Sequence, residues 1–242
     1  MYSQPLDIDI MQSYAQPKKS WVGYVVPFLL LYVVLAMIVL WGVVAFSILG
    51  RVSGDSMQNT LHDGDYLLLQ KHPKKIKDGD IVILPMPGAD QEIDIVKRVI
   101  AVEGETVRFA IAPWVDVTAI GQIGPGNQEP IVLQKKVGSD FVTVDESGYI
   151  KEPMTLGFFY GQNLHYGFFM DGEYYPSGTE NDAATREIPK GKIFVMGDNR
   201  NDSTDSRQKG AMEKSTVLGK QYARLKKGGF DEWVCKLFWG EL

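Results

Sequence analysis

The sequence predicts a mainly β protein that follows one N-terminal membrane-spanning helix. No charged residue occurs from Ser20 to Gly50. Beyond that run, short stretches rich in aliphatic and β-branched residues alternate with turn signals. The 25 glycines and 12 prolines among 242 residues are typical of a chain with many tight turns, and they disfavour a helix bundle.

The uncharged run is long enough to cross a bilayer, because a spanning helix needs about 20 apolar residues. A buried core helix is one alternative, but core helices are seldom apolar on every side for so long. A cleaved signal peptide is another, since Ala45-Phe46-Ser47 offers small residues, yet its apolar region needs only ~7–15 residues. We therefore expect a retained transmembrane helix over 21–50, preceded by a tail over 1–20.

The charges that flank the span predict its orientation. Lys18 and Lys19 precede it, and Arg51 alone follows within the range over which the positive-inside rule counts. This small excess places the N-terminus in the cytoplasm and the rest of the chain outside the cell.

Five runs after the span predict the strands of an antiparallel sheet, and tight turns at Gly64, Gly79 and Gly104 separate several of them. The five runs are Tyr66–Lys71, Asp80–Leu84, Ile93–Val102, Thr106–Phe109 and Lys192–Met196. The stretch 112–189 is rich in glycine, proline and aromatic residues and predicts a subdomain inserted between 51–111 and 190–225. Its aromatic residues fit a small core better than a surface that faces membrane or substrate. Residues 226–242 form the expected C-terminal tail.

Charge and composition exclude several classes of function. The net charge is -5 and the basic residues are scattered, so the chain lacks the basic patch of a nucleic-acid-binding protein. The single cysteine, Cys235, excludes an internal disulfide and a cysteine-based zinc site. Its apolar surroundings favour a packed thiol over a catalytic one. The sequence contains neither H-E-x-x-H nor G-x-S-x-G, and we expect no metal or cofactor.

The first stretch with possible chemistry is Ser53–Leu61, which contains Ser56 shortly after the span. Serine is common in loops, where it caps turns, so its presence alone proves nothing. A nucleophilic serine also needs a base that takes its proton. The three histidines, His62, His72 and His165, match no catalytic spacing.

The strand Ile93–Val102 offers a different base, Lys97. Alternation along the strand places Ile95, Lys97, Val99 and Ala101 on one face, and Val96, Arg98, Ile100 and Val102 on the other. A lysine packed among such side chains is desolvated, which lowers its pKa and provides a neutral amine. The alternative is a lysine that extends from an edge strand into solvent. We expect Arg98 to stay charged and to be structural.

The third stretch, Met196–Arg207, is rich in carboxylates. Arg200 stands where an EF-hand loop requires Asp or Asn, so the spacing does not fit calcium. A polar loop held by ion pairs such as Asp205 with Arg207 is the simpler interpretation.

The three stretches, in this order, resemble the type I signal peptidase family. Ser56-Met57 with Thr60-Leu61 is similar to its nucleophile box, and Lys97-Arg98-Val99 is similar to its lysine box. The third box is matched by Gly197, Asp198, Asn199, Arg200, Ser203, Asp205, Ser206 and Arg207. Gly64-Asp65, Gly79-Asp80 and Gly104 also match, and the likeness extends from the anchor to about Gly219-Lys220, with the insert poorly covered.

The resemblance implies a bacterial membrane-anchored serine endopeptidase that removes signal peptides from exported preproteins through an acyl-enzyme. It implies two antiparallel β-sheet domains, with the catalytic one formed by 51–111 and 190–225. Ser56 is then the nucleophile, Lys97 the base and Ser203 the hydroxyl that orients the amine. Met57 contributes to substrate binding, and the supporting residues are Arg98, Asp198, Asn199, Arg200, Asp205 and Arg207. The substrate is expected to bind as an extended strand with an Ala-x-Ala pattern.

Two positions depart from the family pattern. Asn59 replaces a common proline, which predicts a less rigid turn beside Ser56. Gly54 replaces a serine that some members use in the oxyanion hole, so the backbone N–H of Ser56 must bear more of the charge. Two rival functions remain open: a self-cleaving repressor-type Ser-Lys protease, and an inactive membrane-tethered binding module.

Overall fold

The computed structural model describes residues 20–87, 93–116, 126, 128–155, 157, 168–170, 173–175 and 185–225. The chain divides into two compact units, Met1–Ala45 and Phe46–Leu242. The predicted tails, apart from Ser20, lie outside the described residues, as do parts of the insert.

The helix α1 extends from Val22 to Phe46 and contains no charged residue. Its segment Val22–Gly42 has a mean hydropathy of 2.6, so its length and composition suit a membrane span. None of that segment is buried inside the protein, in contrast to a core helix. The predicted end at residue 50 is wrong, because Ser47 begins a strand whose backbone pairs with another strand.

Within the described residues, two sheets contain all of the strands. The strands in chain order are β1 Ser47–Arg51, β2 Tyr66–Lys71, β3 Ile81–Pro85, β4 Asp94–Val102, β5 Thr106–Ile111, β6 Pro130–Val137, β7 Asp140–Thr143, β8 Met154–Thr155, β9 Phe168–Met170, β10 Glu173–Tyr175, β11 Thr185–Glu187, β12 Lys192–Met196, β13 Met212–Glu213 and β14 Gly219–Leu225. A short helix α2, Ser206–Lys209, follows β12, and a 3-10 turn, Lys214–Thr216, follows β13.

The first sheet has the order β1-β2-β14-β3-β4-β12-β13, and all of its neighbours are antiparallel. The second has the order β10-β9-β5-β6-β7, with β11 paired to β5 and β8 paired to β6. Its pairs are antiparallel except β5 with β9. The fold class is therefore mainly β with antiparallel sheets, as the sequence predicts.

All five predicted strands are present, with ends that differ by at most two residues. The sheet assignment of one of them differs from the expected domain division. β5 lies within the predicted catalytic part 51–111, yet it pairs with β6, β9 and β11 of the second sheet. The turn between β4 and β5 therefore carries the chain from one sheet into the other.

A bulge in β4 changes the predicted alternation. Ala101 pairs with Phe194 and Val99 pairs with Val195, so β4 has one extra residue, Ile100, between them. Ile100 and Ala101 both pack in the core that joins the two sheets, whereas Val99 packs in a separate core of the first sheet. The prediction that Ala101 shares a face with Lys97 is thus wrong, because one extra residue inverts the alternation beyond it.

Candidate active site

Ser56 lies in the loop between β1 and β2, where a short turn holds it in place. Gln58 N–H donates to the Asp55 carbonyl at 2.9 Å, and Leu61 N–H donates to the Met57 carbonyl at 2.9 Å. Met57 is only 2% exposed and packs with Leu61 in a core of the first sheet. The burial of these apolar neighbours fixes the backbone that carries the half-buried Ser56.

Lys97 projects from β4 toward Ser56. Its side chain is buried, with the residue 3% exposed, and Nζ donates a hydrogen bond to Ser56 Oγ at 2.5 Å. Burial lowers the pKa of Lys97 from 10.5 to about 8, although the carboxylates of Asp205 and Asp198 oppose that shift. The structure therefore confirms the expected desolvated lysine and brings it to the serine.

β4 has a free edge beside this pair. β12 ends at Met196, opposite Arg98, whereas β3 continues along β4 as far as Asp94. Among the strands that the structure describes, Asp94–Lys97 therefore have a partner on one side only. Such an edge can accept an extended peptide through backbone hydrogen bonds.

Two cavities meet at the Ser56–Lys97 pair. One has a volume of about 240 Å³ and lies between the loop 51–57 and the strand residues 93–97. The other has a volume of about 370 Å³ and also contacts Met86 and the residues 202–204. Met57, which the sequence assigned to substrate binding, lines the smaller cavity. Both cavities therefore include Ser56 and the buried Lys97 in their lining.

The loop Gly197–Arg200 packs directly on the backbone of Ser56. Asn199 N–H donates to the Ser56 carbonyl at 3.0 Å, and the Asn199 side-chain amide donates to the Asp55 carbonyl at 3.1 Å. A Cβ on Gly197 would lie 2.4 Å from the Ser56 carbonyl oxygen, which is too close for any side chain. The contact explains why a glycine precedes Asp198 here.

Asp205 organises the rest of this loop from a fully buried position. It accepts hydrogen bonds from Gly197 N–H at 2.9 Å, from Ser203 Oγ at 2.7 Å and from the Arg207 guanidinium at 2.8 and 2.9 Å. Burial alone would raise the pKa of Asp205, but Arg207 and these donors hold it below its usual value. Asp205 also caps α2 together with Gln208. The predicted Asp205–Arg207 ion pair is present.

Ser203 lies beside Ser56 and Lys97, here called the dyad, and it lines the larger cavity together with both residues. Its hydroxyl donates to Asp205, and no hydrogen bond to the Lys97 amine occurs among the described contacts. The orienting role that the resemblance implies for Ser203 therefore stays a prediction.

Arg98 forms a bidentate ion pair with the buried Asp198, at 2.8 Å from Nε and 2.6 Å from Nη2. It also donates to the Gly79 carbonyl at 3.0 Å. These contacts are those of a structural arginine, as the sequence suggested.

Two residues near this site were missed in the sequence, Glu146 and Tyr149. Glu146 pairs with Arg200, and the Tyr149 ring stacks on Arg98 at 4.0 Å. Both belong to the predicted insert, far along the chain from the three stretches, and neither stands in a recognisable motif. No group of three or more His, Cys, Asp or Glu side chains among the described residues is arranged to hold a metal ion.

Comparison with known proteins adds the family to this geometry. A family model described as signal peptidase, peptidase S26, matches residues 21–225. The chain belongs to this family.

Two curated relatives illustrate the similarity. Signal peptidase I T of Bacillus subtilis (strain 168) is 32% identical over 159 residues, which cover 64% of this chain and 61% of that protein. Signal peptidase I of Bacillus amyloliquefaciens is 31% identical over 172 residues, 69% of this chain and 68% of that protein. A crystal structure of a signal peptidase I from Enterococcus faecalis V583 is 20% identical, covers 62% of this chain and 98% of that chain, and has a TM-score of 0.32.

The peptidase S26 family consists of serine peptidases, so its members are hydrolases. Because α1, which precedes the strands in the chain, suits a membrane span, this signal peptidase homologue is a membrane-anchored protein.

Asn59 gives the loop that carries Ser56 an unusual backbone conformation. Its φ is 87°, in the left-handed region that asparagine tolerates better than most residues. Proline fixes φ near -65°, so it cannot occupy this conformation. The sequence predicted only a less rigid turn, whereas the structure shows a different turn conformation.

Replacement of Asn59 tests that conformation. We expect Asn59→Pro to destabilise the protein by more than about 1 kcal/mol, since proline cannot adopt the positive φ. Asn59→Gly, the matched control, should melt close to wild type because glycine tolerates that φ. Thermal melts of both variants in detergent measure the difference, and a proline variant as stable as wild type would contradict the observed turn.

Ser203 and Asp205 should differ sharply in their contributions to stability. Asp205→Ala removes the carboxylate that forms the buried ion pair with Arg207, so a loss of about 3–5 kcal/mol is expected. Ser203→Ala removes one hydrogen bond, which is worth about 1 kcal/mol. Denaturant unfolding measures both losses. The opposite order of stability would show that Asp205 is not the organising group.

Proposed function

We propose that this chain acts as a signal peptidase, an endopeptidase that cleaves signal peptides from exported preproteins. The observation that carries the proposal is the hydrogen bond of 2.5 Å between Lys97 Nζ and Ser56 Oγ, in a site whose burial favours a neutral amine. A neutral amine at this distance can take the hydroxyl proton, and serine needs such a base to become a nucleophile.

The first half of the reaction forms an ester. Ser56 Oγ attacks the carbonyl carbon of the scissile bond while its proton moves to Lys97 Nζ. The C–N bond then breaks, and the Lys97 ammonium returns the proton to the departing amine of the mature protein. The signal peptide remains attached to Ser56 as an acyl-enzyme.

Water completes the reaction. Lys97, neutral again, removes a proton from a water molecule as its oxygen attacks the ester carbonyl. The tetrahedral intermediate then loses the bond between the carbonyl carbon and Ser56 Oγ, the Lys97 ammonium returns its proton to Oγ, and the signal peptide leaves with a free carboxyl end. The two cavities beside the pair leave room for the peptide and for this water.

The backbone N–H of Ser56 is the proposed donor to the oxyanion. Gly54 N–H donates to the Asp63 carboxylate at 3.1 Å, whereas Ser56 N–H has no partner among the described residues. The free N–H supports the expectation that Ser56 itself stabilises the developing charge where Gly54 offers no hydroxyl.

The free edge of β4 supports an extended substrate. A peptide added along Asp94–Lys97 would present alternate side chains to the same wall. The cavity beside that edge would receive the side chains at the first and third positions before the cut, which the family resemblance implies are small, as in Ala-x-Ala.

We further propose a single-pass protein of a bacterial cytoplasmic membrane, with its N-terminus in the cytoplasm and its sheets outside. The lysines before α1 and the location of exported preproteins support this topology. The expected partners are preproteins and the bilayer, and the net charge of -5 gives no reason to expect nucleic acid.

Lys97→Arg tests the mechanism and the function together. We expect wild-type cleavage of a labelled preprotein to increase as pH rises through about 8, because the amine becomes a competent base above its lowered pKa. Lys97→Arg should lose at least about a thousandfold in rate, since arginine stays protonated. Lys136→Arg, at an exposed lysine, is the matched control.

The same assay, with Ser56→Ala as the inactive comparison, distinguishes the proposed function from the two rival functions. A repressor-type protease would cut its own chain and leave the preprotein intact, and a binding module would cut neither. A folded Lys97→Arg protein that cleaves the preprotein at the wild-type rate would remove Lys97 as the base.

The orientation can be tested in cells. We expect protease added to intact cells, after removal of any outer layer, to digest the domain beyond residue 50, because the sheets lie outside. A cytoplasmic protein serves as the control for leakage. Digestion only after the membrane is disrupted would reverse the proposed orientation.

A further inference from the structure

The segment 145–155, here called the docking segment, belongs to the second sheet but lies against the third box. It contains the turn after β7 and the strand β8. Asn201 donates to the Pro153 carbonyl at 3.1 Å and accepts from Thr155 N–H at 3.0 Å. Arg207 contacts the Met154 sulfur at 3.1 Å. These contacts attach the docking segment to the loop that holds Ser56.

Glu146 forms the charged part of this attachment. Its carboxylate accepts hydrogen bonds from both terminal nitrogens of Arg200, with Nη1 at 2.6 Å. Arg200 is buried and also donates from Nε to the Gly197 carbonyl at 3.1 Å. A bidentate pair fixes both distance and orientation, so Glu146 adds a further anchor to the loop Gly197–Arg200.

Tyr149 lies between Arg98 and Arg200, which are close in the chain to groups that contact the dyad. Its ring centre is 4.0 Å from the Arg98 guanidinium and 6.0 Å from that of Arg200. Its hydroxyl donates to Glu146 at 2.7 Å. Burial and the neighbouring Glu146 carboxylate raise the pKa of Tyr149, so its phenol stays a neutral donor.

The covalent neighbours of these arginines connect Tyr149 to the chemistry. Arg98 directly follows Lys97, the proposed base. Arg200 directly follows Asn199, whose N–H donates to the Ser56 carbonyl at 3.0 Å. These two connections are the route by which a displaced arginine would alter the distance between Lys97 and Ser56.

We propose that Tyr149 and Glu146 are positioning residues that hold Lys97 Nζ against Ser56 Oγ through Arg98 and Arg200. This inference rests on the proposed peptidase function and gives the second sheet a part in it. Neither residue lines the two cavities beside the dyad, so neither is expected to contact the substrate. Their loss should change the rate of the bound complex rather than substrate binding.

Four test variants and two control variants of the full chain, all in detergent, test the proposal. Tyr149→Leu removes the ring, Tyr149→Phe removes only the hydroxyl, and Glu146→Gln removes the charge. Tyr222→Leu and Glu187→Gln make matched changes at exposed sites that lie outside the docking segment and do not line the two cavities. The double variant Tyr149→Phe with Glu146→Gln tests whether the two residues act as a unit.

We expect Tyr149→Leu to lower kcat about tenfold, as the loss of a desolvated cation–π contact implies, with KM within about twofold of wild type. Tyr149→Phe should lose about threefold because it keeps the ring. The double variant should lose little more than Glu146→Gln alone. The controls should match wild type.

The pKa of Lys97 provides a readout that needs no activity. It can be followed by NMR of labelled lysine side chains and assigned by comparison with Lys97→Met. Once the loop loosens and admits water, Tyr149→Leu should raise this pKa from about 8, and the pH profile of kcat should move with it. A purely structural role would lower the melting temperature and leave the pKa of the folded protein unchanged.

The outcomes separate the two proposals. A wild-type protein that cleaves no more preprotein than Ser56→Ala overturns the peptidase function, and the NMR titration still decides the positioning role. Wild-type cleavage with an unchanged kcat and an unchanged Lys97 pKa in Tyr149→Leu overturns the positioning role alone. A kcat loss that disappears after correction for the unfolded fraction overturns it as well.

Discussion

A single buried carboxylate, Asp205, holds together the parts of the site that come from different elements. It binds the backbone of Gly197, the hydroxyl of Ser203 and the guanidinium of Arg207, and it begins α2. An ionised carboxylate is costly to bury unless cations and donors satisfy it, and here they do. The loop that supports the Ser56 backbone therefore keeps its shape only while this charge is paired.

The two sheets share the task of placing the dyad. The first sheet carries Lys97 on β4 and Ser56 in the loop after β1, and the core at Phe109 and Phe194 joins it to the second sheet. Glu146, in the turn that follows β7 of the second sheet, forms an ion pair with Arg200. Among the described residues Lys97 forms no salt bridge, and its buried side chain contacts Ser56 through a hydrogen bond.

Much of this arrangement can be predicted from the sequence where a pattern is local. Alternation around Lys97 is compatible with a buried lysine or one that extends into solvent, the family resemblance favours the buried one, and the third box suggests the Asp205–Arg207 pair. Three features have no local signal: the bulge at Ile100, the positive φ of Asn59 and the Glu146–Arg200 pair. The first two depend on backbone geometry that tertiary packing selects, and the third joins residues 54 positions apart. Sequence also suggested a longer helix, since Ser47–Gly50 are uncharged whether they continue α1 or begin β1.

The start of β1 has a consequence for the survival of the chain itself. Ala45-Phe46-Ser47 carries small residues at the spacing of the proposed Ala-x-Ala specificity, at the end of an apolar segment. Phe46 ends the helix, while Ser47 is 5% exposed and its backbone pairs with Gln70. A peptidase that adds its substrate as a strand needs a segment free to leave its own structure. Under the proposed activity, this pairing makes the chain a poor substrate for other copies of itself in the same membrane. The folded sheet thereby protects the enzyme from self-digestion.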